Sequence, residues 1–482
     1  MGSVVEHQGA VEDRHSLRRG VLTLFDSSVM GVAGVAPAYS IAATTAILIG
    51  AVALGGPAAL LYCGIAMFGI VWAFNFLGRA ETNAGATYSW VRRALHPVLG
   101  FIAGWSLVVS ALIFMVAGAF PAGSVVLGLF SQSAANNVTL VTIFGALFFL
   151  LMIGAVVAGV TITAHVQVIM SSVELAILVL FAILMFFHGH DVHAFSWQWF
   201  SPSVFHGSTG FFAGALVAAF YYWGWDVTAN LNEETHEAKV TPGIGGIIGV
   251  VVVFALFEVF TVGTNMVLSS KAIAGNPGDV LGVLGQMVWP GLGGKLVVLA
   301  VALSTIATLE TTIIQVTRTL FAMGRDGTMP KVLGTVDPRR KTPVVAAVVV
   351  AVISLALFVA SNFIGSVGTV MTDAINAIGL QICVYYALAG FSVVILYRKH
   401  LFKSVKYFIF AGLWPLVGAI FMAAVFEQTI PGLNGTTKLV GLGALALGLI
   451  PIAVYWAKGR EYFKMPSREE REIQLEAAPV AD

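Results

Sequence analysis

The chain has 482 residues, 58% of them hydrophobic and only 10% charged, with a mean hydropathy of +0.91 and a formal charge of +1. A soluble domain carries roughly 25% charged residues, so a water-facing globule and a disordered chain are both excluded. With 25 Lys+Arg against 24 Asp+Glu there is no basic excess to neutralise phosphates, which argues against nucleic-acid binding, and two cysteines, Cys63 and Cys383, exclude a disulfide scaffold, an Fe–S protein and a Cys-rich zinc site.

The N-terminal tail, 1–21, is polar through residue 20. It carries Glu6, Glu12, Asp13, Arg14, Arg18 and Arg19 and lacks the apolar core of a signal peptide. Twelve apolar runs follow, at 22–50, 57–77, 98–130, 138–160, 166–187, 209–232, 243–268, 295–322, 343–361, 370–397, 405–427 and 438–457. A helix needs about 20 mostly apolar residues to cross the hydrocarbon. These runs are apolar on all sides, whereas a barrel strand alternates over about 10 residues, so helices are expected. The expected fold is an all-α polytopic membrane protein with 12 transmembrane helices.

Alternating the spans from a cytoplasmic N-terminus leaves Lys271, Lys295 and Lys438 outside and the other 22 Lys and Arg inside, as the positive-inside rule requires. Both termini are therefore expected in the cytoplasm, with Arg318 snorkelling from the inner end of its helix. The outer segment 188–208 carries Trp197, Trp199 and Phe200, an interfacial composition. Residues 279–289 are too short to span and read as a short helix over an outer vestibule. The tail 458–482 is expected inside, its last part a short helix that frays.

Two spans are interrupted. Gly31, Gly34 and Pro37 fall in the middle of the first. Pro37 removes a backbone donor and pushes Ala36 out of helical geometry, while proline suits the first turn of a new half-helix. The N–H groups of Ala38 and Tyr39, with the Ser40 hydroxyl, would then form an anion-friendly helix N-terminus. The alternative is an ordinary proline kink packed by its neighbours. In the sixth span Gly224 interrupts Tyr221, Tyr222, Trp223 and Trp225, and Asp226 follows at mid-membrane depth. A charge there costs at least about 2.5–3.5 kcal/mol. Carbonyls before Gly224 suit a cation, and Asp226 either caps the second half-helix or contacts a substrate. Paired interruptions at matching places in two five-helix halves point to a transporter site. The first repeat is then 22–187, the second 209–397 after the outer loop 188–208, and the last two helices occupy 398–457.

Four stretches carry a family resemblance. They are Gly34–Ala43; Asn83–Val91 with Gly100–Trp105; Gly224-Trp-Asp226 with Glu233-Glu-Thr235 and Pro242; and Arg318–Pro330 with Pro343, the last being the most specific. The chain resembles the amino acid–polyamine–organocation family of the APC superfamily over nearly its whole length. The resemblance implies a five-plus-five inverted repeat with substrate held between broken helices one and six. Two departures bear on substrate: Gly34-Val-Ala-Pro37 replaces the Gly-x-Gly break of many amino-acid members and is similar to some amine and polyamine importers, and Asn-Ala-Gly-Ala at 83–86 replaces a commoner Pro-containing pattern.

The spans keep five acids, Glu174, Asp226, Glu258, Glu310 and Asp373, with no Lys or Arg at mid-span to pair them. Such residues are functional candidates, and an unpaired embedded carboxyl is suited to carry a proton. By resemblance, Glu174 stands in the fifth helix where relatives often have a lysine, which makes it the expected proton-coupling residue. A merely structural, hydrogen-bonded glutamic acid is the alternative, and sodium coupling stays open because carboxylates also ligate hard cations. Glu258, Glu310 and Asp373 read as helix–helix hydrogen bonds or gate elements. Glu233, Glu234 and Glu237, with Lys239, read as inner-mouth ion pairs with arginines or as a solvated face. Gly245-Gly-Ile-Ile-Gly249 reads as close helix packing.

No P-loop, dinucleotide fingerprint or His-Glu-x-x-His is present, and His188, His190 and His193 with Asp191 read as an exposed loop rather than a metal site. The expectation is therefore a secondary transporter in the plasma membrane, a bacterial inner membrane, and not an enzyme. It would import an amino acid or related small amine by proton symport, with no cofactor beyond a proton or sodium gradient. The substrate-binding residues expected are Ala33, Gly34, Ala38, Tyr39, Ser40, Tyr221, Tyr222, Trp225 and Asp226, with carbonyls near Ala33 and Tyr221 for the ammonium. The alternatives are polyamine, ethanolamine or inorganic-cation transport on the same fold, an amine exchanger, or a non-transporting receptor. The partners expected are the small-molecule substrate and the bilayer; oligomeric state stays open, a monomer included.

Overall fold

The computed structural model describes residues 15–128, 130–135, 137–188, 192–276, 278–363 and 367–472. Glu6, Glu12, Asp13 and Arg14 of the tail, His190 and Asp191 of the outer histidine group, and 473–482 of the expected fraying end lie outside them. Among the described residues the protein is helical, the one β contact being an isolated parallel bridge between Leu22 and Thr235. Among the described residues, ten helical stretches are long and apolar enough to cross a bilayer, and a shorter apolar helix spans Gly207–Tyr221. The first stretch, Leu24–Ala80, runs for 57 residues. At 1.5 Å per residue that is about 85 Å, far beyond the roughly 30 Å of hydrocarbon.

That stretch is three helices: α1 (Leu24–Val35), α2 (Pro37–Val52) and α3 (Gly56–Ala80). Thr23 starts α1 with a reciprocal capping box to Asp26. Ala36 ends it in the left-handed region, φ 53°, its N–H turned back to the carbonyls of Val32 and Ala33. Pro37 then opens α2, so the interruption falls where the proline places it. A short α4 (Thr87–Ala94) leads into α5 (Pro97–Gly128), followed by α6 (Val138–Ala158) and α7 (Val160–His188). The second interruption separates α8 (Gly207–Tyr221) from the four-residue α9 (Val227–Asn230). Next come α10 (Thr241–Val267), α11 (Val280–Val288), the 33-residue α12 (Gly293–Arg325), α13 (Val344–Ser361) and α14 (Val367–Tyr397). The expected short helix at 279–289 is thus α11, N-capped by Asp279 and packed on α12.

Burial divides the helices into two groups. α12 and α14 both pack on α5, and α12 is buried along most of its length. α6, α7 and α13 instead turn Ile143, Leu147, Leu151, Ile169, Ile183, Val348 and Val352 outward. Apolar residues exposed along whole helix faces are what hydrocarbon solvates and water does not.

The two interruptions meet. Any Cβ on Gly34 would collide with the Gly224 carbonyl, and one on Gly224 with the Gly34 carbonyl. Gly224 also has φ +108°, which L side chains rarely adopt. Elsewhere, Gly245 and Gly249 lie against α1 at Ser27 and Gly31, the close helix approach expected for that segment. One expectation needs correction. Arg318 does not snorkel: it is 0% exposed and paired with an equally buried Glu234.

Gly34→Ala and Gly224→Ala should each destabilise the purified protein by about 1–3 kcal/mol through overpacking. Gly50→Ala, whose Cβ meets nothing within 4 Å, should be neutral or slightly stabilising. Midpoints of heat unfolding in detergent check both.

Candidate functional site at the paired helix breaks

A helix broken inside a bundle exposes backbone groups that only the protein can satisfy. At the first break each exposed group named here has a partner. The Ala38 N–H donates to Glu174 Oε1 at 3.0 Å, and the Tyr39 N–H donates to the Ser304 hydroxyl at 3.1 Å. The Gly34 carbonyl accepts from Thr308 at 2.9 Å, and the Val35 carbonyl from Ser40 at 2.8 Å. The expected anion-friendly N-terminus therefore holds a carboxyl group of the chain itself, brought by α7 over 136 residues of sequence. Its second carboxyl oxygen, Glu174 Oε2, is buried with no partner among the described residues.

The sequence-predicted residues are all buried, but they do not face one common space. Ala33, Gly34, Ala38, Tyr39, Ser40 and Glu174 gather at the first break. Tyr221 joins them through a 2.7 Å contact between its hydroxyl and that of Thr45 on α2. Asp226 lies on the far side of an aromatic chain. Tyr39 packs edge-on to Phe114, Phe114 packs on Trp223, the Trp223 indole N–H donates to the Tyr385 hydroxyl at 2.6 Å, and that hydroxyl donates to Asp226 Oδ2 at 3.0 Å. Asp226 Oδ1 is buried without a partner among the described residues. Asp226 stands at the N-cap position of α9 but makes no capping bond, so the capping role considered for it is not what its side chain does. Tyr222 and Trp225 turn toward α3: Tyr222 donates to the Leu60 carbonyl, and Trp225 wedges between Phe74 and Tyr386.

Sequence reasoning missed Ser304 and Thr308 of α12, Phe114 of α5 and Tyr385 of α14. The hydroxyls at 304, 305, 308, 311 and 312 in one apolar helix were the available signal, because polar groups in a buried helix need partners. Of the remaining acids, Glu310 accepts from Gln167 at 2.6 Å, and Asp373 accepts from Asn434 and Thr437, a helix–helix contact.

Below the breaks, at the end of the bundle rich in arginine, a polar latch closes the structure. Arg318 makes a two-pronged pair with Glu234, at 3.0 and 3.1 Å, and Arg325 another with Glu233, at 2.9 and 3.2 Å. Glu233 also accepts the Ala84 N–H, while Asn230 and Asn232 donate to the carbonyls of Ala84 and Asn83. The backbone at 21–22 joins in: Val21 and Leu22 donate to the Glu234 carbonyl, and His236 donates to that of Leu22. Among the described residues, no group of three or more His, Cys, Asp or Glu is placed to hold a metal ion.

Interrupted helices meeting inside a membrane-spanning bundle are the construction on which secondary transporters build their sites. The chain belongs to the amino acid permease family, whose sequence model matches residues 22–447. Its relatives include the low-affinity putrescine importer PlaP of Escherichia coli, 26% identical over 90% of this chain and 93% of that protein. A methylthioribose transporter of Bacillus subtilis is 25% identical over 70% and 74% of the two chains, and the mouse b(0,+)-type amino acid transporter 1 is 24% identical over 76% and 74%.

The latch makes a graded prediction. Glu234→Gln strands a buried guanidinium and should cost about 3–5 kcal/mol, whereas the apolar double variant Glu234→Leu/Arg318→Met should recover most of that loss. Glu233→Gln, at a partly exposed pair, should cost about 1 kcal/mol or less. Unfolding midpoints of the four proteins order them; equal losses at Glu233 and Glu234 would contradict the burial argument.

Proposed function

We propose that the protein is a secondary transporter that imports an amino acid or a related small amine by proton symport. The family and the names of its relatives point to transport of amino acids or amines rather than to an enzyme. The transmembrane count proposed is twelve: Leu24–Ala80 crosses twice, and α8 with α9 forms one broken crossing. Residues 22–187 and 209–397 would be the inverted repeats, joined by 188–208. The helices in 398–457 would follow, and the tails at 1–21 and 458–482 would lie in the cytoplasm at a plasma membrane, a bacterial inner membrane on this reading.

The observation that carries the coupling is the Glu174 carboxyl on the Ala38 N–H. A helix N-terminus favours one anion there. An ionised Glu174 and a substrate carboxylate compete for the same donor, the Ala38 N–H. Protonating Glu174 removes its charge and frees the Ala38 N–H for the incoming carboxylate, so proton and amino acid would bind together. The substrate ammonium would face carbonyls near Ala33 and Tyr221. In the opposite state, deprotonated Glu174 takes the N–H back and expels the carboxylate.

A second reading has one observation behind it: Asp226 keeps one oxygen unpaired beside Trp223, Tyr385 and Tyr386, a site suited to an organic cation. For a diamine without a carboxylate, Glu174 would not have to be protonated, and Asp226 would carry the binding.

Proteoliposomes offered labelled amino acids and amines, with and without an alkaline interior, decide between the two. Symport predicts gradient-driven amino-acid uptake in wild type, and in Glu174→Gln retained exchange with no pH dependence. Gradient dependence that survives in Glu174→Gln would remove Glu174 from the coupling. Uptake of amines alone, lost tenfold or more in Asp226→Asn, as removal of a charged contact of about 1.5–3 kcal/mol implies, would favour the second reading.

A further inference from the structure

Of the embedded acids that neither reading uses, Glu258, Glu310 and Asp373, one stands apart. Glu258 lies in the second half of α10, and both of its carboxyl oxygens are buried with no hydrogen-bond partner among the described residues. Glu174, Asp226, Glu310 and Asp373 each accept at least one hydrogen bond. A carboxylate deprived of both water and donors costs several kcal/mol, so in this arrangement Glu258 holds its proton.

A donor stands beside it. Phe254, one turn earlier on α10, stacks on Tyr222 at 6.4 Å, and Phe257 packs edge-on against the same ring at 5.6 Å. The phenol is thus next to the face that carries Glu258 and within electrostatic reach of its carboxyl. Its hydroxyl is donated to the Leu60 carbonyl of α3 at 3.1 Å. Besides Glu258, the Cys63 thiol of α3 and the neighbouring Tyr221 phenol of α8 are the titratable groups within electrostatic reach of this phenol among the described residues. Tyr221 is turned to Thr45, Glu174 to Ala38 and Tyr39 to the Ala117 carbonyl. Asp26 sits in the first turn of α1 and Arg79 in the last turn of α3, and His165 lies exposed in the first turns of α7.

We propose that Glu258 is a second proton-binding site, separate from Glu174, and that its ionisation draws the Tyr222 hydroxyl away from the Leu60 carbonyl. The proton leaves the carboxyl, and the phenol keeps its own proton while redirecting it to the new carboxylate. Tyr222 is two residues from Gly224, so losing the bond to Leu60 unpins the second break from α3. The site thereby ties a proton to the position of the α8–α9 break whatever the cargo is, and it stands or falls independently of the role of Glu174.

The test uses the full-length protein in lipid vesicles and dicyclohexylcarbodiimide, an apolar reagent for protonated carboxyls. The acid O–H adds across one C=N bond: a C–O bond forms and the proton passes to nitrogen. The acyl group then migrates from oxygen to the other, imine nitrogen as the C=O of a urea forms, leaving a stable N-acylurea adduct with nothing released. Peptide mass spectrometry should find the adduct at Glu258 near pH 6 and at least tenfold less of it by about pH 10. Glu258→Gln should abolish it. Tyr222→Phe removes the donor available to the ionised form and should carry labelling to higher pH. Absence of the Glu258 adduct, an adduct independent of pH, or the same pH curve in wild type and Tyr222→Phe would each overturn the proposal.

Discussion

The centre of this protein depends on one constraint: backbone groups freed inside a membrane bundle must be satisfied by the protein itself. Pro37 and the left-handed Ala36 interrupt the first helix, and the N–H of Ala36, the N–H groups of Ala38 and Tyr39, and the carbonyls of Gly34 and Val35 each receive a named partner. The partners of Ala38, Tyr39 and Gly34 come from α7 and α12, so satisfying the break also fixes how those helices pack around it. The contact between Gly34 and Gly224 adds a steric condition, because two backbones without side chains are brought together where either Cβ would collide.

Charge is distributed by the same logic. The Arg318–Glu234 pair is fully buried, and such a pair adds little net stability compared with apolar packing. Its worth is conditional: the charges are tolerable only while they face each other. Both carboxylates of the latch lie just beyond α9, and both guanidiniums lie on the last turns of α12. Separating those elements unpairs four charges at once, which favours two discrete arrangements over a continuum.

Much of this was legible in the sequence, for physical reasons. The apolar runs, the interruptions at Pro37 and Gly224 and the embedded acids are local violations or local averages, visible without knowing what they touch. Partners are not local. Ser304 meets Tyr39 across 265 residues, and Tyr385 meets Asp226 across 159. Direction was also hidden. The irregular turn at 222–226 abolishes the 3.6-residue period, so nothing in the order of Tyr221, Tyr222, Trp223 and Trp225 tells that the first faces α2 while Tyr222 and Trp225 face α3. Arg318 was misplaced for a related reason: a lone arginine near a helix end reads as surface-seeking until its carboxylate, 84 residues earlier, is brought opposite it.

The short parallel bridge between Leu22 and Thr235 has a mechanical consequence. Three backbone hydrogen bonds join the segment just before α1 to the segment just after α9. Through them the two half-helices are coupled like blades on a common hinge. Displacing one either drags the other along or breaks all three bonds, so concerted tilting is cheaper than independent swinging. The bonds are main chain to main chain, so this linkage survives side-chain substitution at the residues that form it.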